Sequence, residues 1–344
     1  MERPNQEGTV RVNRRRARGS ILPLRPEPFL LLFSLILLTM APLVQGQSLD
    51  RLVVRNDARP LQPDLETGRF GTGKLYFDDP VDVAVDGEGD VYILDGGNFR
   101  IQVMNERGRF LRKWGGKGMG DGRFNDPVAL AISPDDDFLV VLDRDPARVQ
   151  VFSPDGSFLL SFAGKRIGKG SMDEPADLTI DSQNYIYVVD RGRDRILKFH
   201  RSGAFVDEWG STGRREKDLA DPVSVAFSEK LTGFIYVLDA GKGALFVYHR
   251  DGDYRETIFL GPELLSPVSD LVRVETDREE GLFILDASLG KLIKFEERSV
   301  GLFSLRSETV SLEKPAGLSF DPERGIYVSD LSRNRLFRFP FELD

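Results

Sequence analysis

A proline that opens an apolar run recurs six times along the chain, at Pro80, Pro127, Pro175, Pro222, Pro267 and Pro315, at intervals of 47, 48, 47, 45 and 48 residues. A second series keeps the same period: an aspartate closes an apolar run at Asp95, Asp143, Asp190, Asp239, Asp286 and Asp330. Two independent series with one period dictate six copies of a single supersecondary unit. In the first unit Val81–Val85, Val91–Leu94, Arg100–Met104 and Phe110–Trp114 read as short strands rich in β-branched and aromatic side chains. Asp86-Gly87-Glu88-Gly89, Asp95-Gly96-Gly97-Asn98 and Asn105-Glu106-Arg107-Gly108 separate them as turns. No stretch beyond residue 46 sustains a helical apolar period. Four short strands per unit describe a propeller blade. The fold class that follows is all-β: a six-bladed β-propeller of four-stranded antiparallel blades.

The sixth unit reaches Asp344 after a third strand at Leu336–Phe339, while Leu52-Val53-Val54 precedes the first complete unit. Residues 49–55 are therefore expected to complete the last blade and close the ring, which removes free sheet edges. In support, Gly68-Arg69-Phe70 and Asp79-Pro80 follow in the same order as Gly122-Arg123-Phe124 and Asp126-Pro127.

Ahead of the repeats, residues 1–28 carry six arginines between Arg11 and Arg25, and Phe29 to Met40 form an apolar run. Val44-Gln45-Gly46 then offers small residues at a cleavage site. This order describes a secretory signal peptide over residues 1–46, with an uncleaved signal anchor as the alternative. Residues 47–344 form one propeller domain, expected to be monomeric and exported to a periplasmic or extracellular location. Membrane contact is expected only through an uncleaved N-terminal segment. Removing residues 1–46 takes away seven basic and three acidic residues and moves the formal charge from −8 to −12. That charge disfavours nucleic acid as a partner.

The pattern Asp-x-x-Asn-x-Arg-Ile/Leu-x-x-Phe/Met is followed by Asp95–Met104, Asp190–Phe199 and Asp330–Phe339, its asparagine standing as Asn98 in the first and, shifted by one place, as Asn334 in the last. These units resemble NHL repeats, and the resemblance extends over residues 47–344. It implies an NHL-type six-bladed propeller, of the kind bacteria export. Similar propellers serve as extracellular sensor domains of bacterial kinases, as protein- or RNA-binding ends of tripartite-motif ubiquitin ligases, and as the peptidyl-hydroxyglycine lyase. The zinc histidines and disulfides of that lyase have no counterpart here, because the chain has no cysteine and only His200 and His249. The missing cysteines also exclude a thiolate metal site and a cysteine nucleophile.

Residues that recur in every blade are expected to be structural. A basic residue follows the closing aspartate by five places at Arg100, Arg148, Arg195, Lys291 and Arg335, with Lys242 as substitute beside Ala244. Each aspartate should accept turn N–H groups and pair with its basic neighbour. Trp114 and Trp209 should pack between blades, and His200 and His249 should sit on turn tips. The asymmetric positions carry the functional expectations. Asp82, Asp177 and Asp270 belong to alternate blades, near the openings of their first strands. They are candidate ligands for a hard cation such as Ca²⁺ at the channel mouth, the alternative being a wet polar channel. Lys165, Arg166, Arg191, Arg193, Arg195, Arg214 and Arg215 form a basic sector around the third blade, interleaved with acidic residues. The function expected is binding of a protein, peptide or anionic glycan through the loops of that face. A metal-dependent hydrolase or lyase at the channel mouth is the alternative.

Overall fold

Proline has no N–H to give to a sheet ladder, so it is tolerated at the first residue of a strand. Five of the six blades in the computed structural model begin on that residue. The structure describes residues 8–10, 52–55, 61–164, 168–213, 215, 217–229, 233–261, 264–267, 269–277, 281–295, 299–305 and 312–340. Blade one comprises Pro80–Val85, Val91–Asp95, Arg100–Met104 and Phe110–Gly115, paired antiparallel from the ring axis outward. Blades two to four repeat that order from Pro127–Ile132, Pro175–Ile180 and Pro222–Ser228, and blade six from Pro315–Asp321. The sequence reading of a six-bladed, four-stranded antiparallel propeller is thus what the chain forms.

Blade five departs from the proline register. Its first strand is Leu271–Thr276, and Leu271 faces Asp286 just as Pro80 faces Asp95. Pro267 therefore does not open the strand. Counting back from the closing aspartate, rather than searching for proline, gives the true alignment. The residue two places after the opening is consequently Arg273, not Ser269, and Asp270 is the residue just before the strand.

The closing strand also differs from expectation. Blade six obtains its fourth strand from Leu65–Thr67, which pairs with Arg335–Phe339. Leu52–Arg55 instead lies parallel to Ser299–Ser304 on the outer edge of blade five, with Gly8–Val10 antiparallel to it. The physical reason is the length of the connection that follows. Phe77, not Phe70, is the equivalent of Phe124, since Phe70 bridges Phe77 as Lys117 bridges Phe124. Both phenylalanines are buried and each precedes its blade by the same spacing. A fourth strand must then end near Thr67, as that of blade one ends at Gly115. The remainder of the predicted signal segment lies outside the described residues.

Among the described residues the hydrophobic core is divided into six clusters, one at each blade–blade interface. Blades are covered on both sides, so second and third strands are buried along their whole length instead of alternating. The outer strands Phe110–Gly115 and Phe158–Phe162 alternate. Trp114 and Trp209 pack between blades as the sequence indicated, against Phe152 and Tyr248 of the next blade. At the matching places Gly156 and Gly252 have positive φ, and a Cβ on either would lie 2.6 to 2.7 Å from an indole carbon. Glycine is therefore required at both turns.

Candidate functional site

Connections between fourth and first strands, together with second-to-third turns, form what we term the upper face. First-to-second and third-to-fourth loops form the lower face. On the upper face each closing aspartate is buried and anchors the incoming connection. Asp95 accepts the Asp78 N–H at 2.7 Å, Arg100 Nε at 2.7 Å and Gln102 Nε2 at 3.0 Å. Asp143, Asp190, Asp239, Asp286 and Asp330 each accept an N–H from the corresponding connection. Arg100 spans that connection, donating to the carbonyls of Thr72, Gly73 and Tyr76. In blade four Lys242 Nζ reaches the carbonyls of Arg215 and Asp218, supplying what Ala244 lacks. Burial pushes the Asp95 and Asp143 carboxyls up, and the N–H and guanidinium donors oppose it. These residues hold loops in place.

The channel residues behave differently. In chain order the place two residues after each opening is held by Asp82, Ala129, Asp177, Ser224, Arg273 and Gly317. Arg273 extends its two terminal nitrogens to Asp82 Oδ1, at 2.7 Å, and to Asp177 Oδ1. Leu130 N–H donates to Asp82 Oδ2 at 2.8 Å, and Val225 N–H to Asp177 Oδ2 at 3.0 Å. Gly317 is required here, because a Cβ would lie 2.7 Å from the Asp82 Cα. Alternate blades one, three and five thus meet at the axis through Asp82, Asp177 and Arg273. The positive charge between Asp82 and Asp177 is a guanidinium. Asp270 does not join them: it is exposed and its backbone N–H donates to Asp286. Among the described residues no group of three acidic or histidine side chains is placed to hold a metal ion.

Below this plug lies a cavity of about 570 Å³ that reaches the lower-face loops. The next lumen-facing place along each first strand holds Ala84, Ala131, Thr179, Ala226, Glu275 and Ser319. Five small residues leave the lumen open and one carboxyl enters it. Desolvation pushes Glu275 up to about 8, Arg273 opposing and the Asp177 and Asp82 charges reinforcing. Desolvation likewise takes Asp82 up to about 6, against the pull of Arg273. Arg273 itself is held up by Asp177 and Asp82 despite the opposing effect of burial. Sequence reasoning missed Arg273 and Glu275. The signal was available in the corrected register, where a glutamate interrupts a series of small residues.

The described residues of the basic sector around blade three are largely neutralised from within. Arg191 pairs with Asp221, Arg195 with Asp190 and Glu208, and Arg215 with Asp218. Arg193 donates to the Ser171 carbonyl and hydroxyl. Lys165, Arg166 and Arg214 lie outside the described residues. His200 is half-buried on its turn, with Nδ1 2.8 Å from Ser202 Oγ, and His249 packs on Phe234.

A second upper-face surface was not anticipated. Phe70 is 70% exposed and Met119 60% exposed, on the connections entering blades one and two. Both connections are tied to the same blade-one turn: Asn98 Nδ2 donates to the Gly71 carbonyl, and Gly116 N–H to that of Phe99. Arg69, Lys74, Lys117 and Arg123 are exposed on the same two connections, with Arg69 stacked 3.9 Å over the Tyr76 ring. The sequence signal was a run of glycines flanking large apolar residues.

Comparison with known proteins agrees with this geometry. The family description NHL repeat matches residues 77–104, which run from the buried Phe77 through the third strand of blade one. The chain is a six-bladed β-propeller in which residues 77–104 match the NHL repeat. NHL repeats commonly mediate protein interactions. A segment of 77 residues, 22% of this chain, is 31% identical to Protein brain tumor of Drosophila melanogaster and spans 7% of that protein. Among solved structures, a catalytically inactive virginiamycin B lyase from Staphylococcus aureus with quinupristin superposes with a TM-score of 0.55 at 12% identity, over 79% of this chain and 82% of that one. The hydrazine synthase of Kuenenia stuttgartiensis gives 0.51 at 14% identity, over 75% of each chain. These structural likenesses concern the fold.

Proposed function

We propose that this NHL propeller is an exported binding module that captures an acidic polypeptide on the upper face around blade one. Phe70 and Met119 are its apolar anchors. The single observation that supports the reading most is that two connections locked to one turn each carry a large exposed apolar side chain. Exposed apolar groups ringed by charge are the usual composition of an interface, and a rigid loop loses little entropy on binding. Arg69, Lys74, Lys117 and Arg123 supply the complement to carboxylates on the partner. The blade-three sector, whose described arginines are mostly paired internally, has less charge to offer. The leader-like N-terminus supports an encounter outside the cytoplasm. The test is capture by cross-linking from the native envelope fraction, with wild type, the Phe70→Ala/Met119→Ala double variant and the Arg191→Glu/Arg193→Glu double variant compared. Truncated anchors cost about 2 kcal/mol or more at an interface hot spot, so the first double variant should lose the captured polypeptide while melting as wild type does. Undiminished capture by the first variant, or loss only in the second, would move the site back to blade three.

A further inference from the structure

The lower-face channel has the build of a small-molecule site. Its volume of about 570 Å³ lies in the range of about 300 to 1,000 Å³ typical of ligand pockets. Its floor is the Asp82–Arg273–Asp177 bridge, and its walls include Phe227, backed by Arg250, and Phe320, backed by Phe283. Thr179 and Ser319 add polar atoms beside Glu275.

The charges in this enclosure do not balance. Asp82, Asp177 and Glu275 bring three carboxyls to one guanidinium, which is divided between the first two. The lower-face acids that line the mouth are engaged: Glu229 pairs with Arg250, Asp136 accepts the Gly87 N–H, and Asp277 accepts the Gly281 N–H. Blade six brings no titratable side chain to the lumen, only Leu318, Ser319 and Phe320. Glu275 accepts the Thr276 N–H, and among the described residues no ion pair engages it. Arg273, more than nine-tenths buried at the floor, leaves its Nε–H without a protein partner. The enclosure is therefore not satisfied by its own groups: the Arg273 Nε–H lacks an acceptor, and of three carboxyls sharing one guanidinium Glu275 is the one with no cation at ion-pair distance among the described residues.

We propose that this channel binds a small organic monocation of the amidine or amine class, its charged head on Glu275 and its apolar body against Phe227 and Phe320. An anion would meet the excess of carboxyls. A hard metal ion would need several oxygens, and the two aspartates that might join Glu275 are already held by Arg273. A planar organic cation needs only one carboxylate and an apolar wall.

In this reading the occupant replaces a proton. With Glu275 pushed up to about 8, the empty channel holds it neutral at pH 7, and the cation makes it ionise. Isothermal titration of the full chain with benzamidine, in two buffers of different ionisation enthalpy, reads both affinity and proton count. Binding at pH 7 should release close to one proton, and affinity should rise roughly tenfold per unit between about pH 6 and pH 7.5 before levelling. Benzamide, of the same shape and uncharged, and benzoate, of opposite charge, should each bind at least about tenfold more weakly. Glu275→Gln should weaken benzamidine by a similar factor and abolish the proton release. Absence of benzamidine binding at millimolar concentration, equal binding of benzamide, or release of no proton by wild type would each overturn the proposal. The benzamidine–benzamide comparison is made on wild type and does not depend on whether the variant folds.

Discussion

The upper-face rim, where the closing aspartates anchor the connections, and the axis of this propeller use the same residue type for opposite ends. At the rim, an aspartate recurs in all six blades, always buried and always receiving N–H groups from the connection that enters its blade. At the axis, aspartate appears in two blades, an arginine in a third and a glutamate one step below that arginine. The rim repeats because every blade poses the same problem: a long connection with backbone donors to satisfy. The axis does not repeat, because six side chains converge on one point and cannot all carry the same charge. Uniformity thus marks what holds the ring together, and departure from uniformity marks where individual chemistry resides.

The sharpest way to break this contrast is at Arg273. Replacing it by methionine leaves Asp82 and Asp177 buried and facing one another without their counter-ion. Loss of one member of a buried ionic group costs about 3–5 kcal/mol, and we expect the upper end at pH 7.5 because two like charges remain. The loss should shrink at pH 5, where Asp82, already up at about 6, takes a proton. Urea unfolding at both pH values checks this, and an equal loss at both would mean that the bridge contributes nothing electrostatic.

A smaller effect separates one rim position from another. Asp95 holds Arg100, Gln102, Asn98 and the Asp78 N–H, so Asp95→Ala leaves a guanidinium without its partner and should cost about 3 kcal/mol. Asp286 accepts the N–H groups of Asp270 and Leu289 and the Ser288 hydroxyl at 3.0 to 3.2 Å, and its Oδ2 has no partner. Asp286→Ala should therefore cost only about 1 kcal/mol. Equal midpoint shifts in denaturant for the two variants would show that the rim clamps do not differ in strength.

The same contrast explains what could be read from the residues alone. Period, blade count, strand order and rim clamp were all legible, because each is stated six times. The closing strand was not, since Gly68-Arg69-Phe70 copies a local triplet whose true counterpart ends at Phe77. Blade five was misaligned because Pro267 resembles an opening residue, whereas pairing with Asp286 selects Leu271. That shift of four places hid both Arg273 and Glu275, and with them the chemistry of the axis. Phe70 and Met119 were passed over for another reason: exposure of an apolar side chain is a tertiary property that no local pattern states.

The last predicted effect isolates Glu275. Asp95 and Glu275 are both pushed up by burial, but Asp95 is opposed by several donors and Glu275 by little beyond Arg273 and one N–H. Between its ordinary value of 4.5 and about 8, Glu275 keeps in the folded chain a proton that the unfolded chain has released. Its contribution to stability is full below pH 4.5 and is lost as pH rises through about 8. Glutamine carries no such proton in either state, so the pH slope arising from this position should vanish in Glu275→Gln. Because the carboxyl faces a lumen open to water, we expect the variant to exceed wild type by only about 1–2 kcal/mol at pH 8.5, and to match it at pH 5. Thermal unfolding across that range decides the matter. A variant that gains nothing at high pH would place Glu275 among the satisfied carboxylates, and the axis would then differ from the rim in arrangement but not in its electrostatic balance.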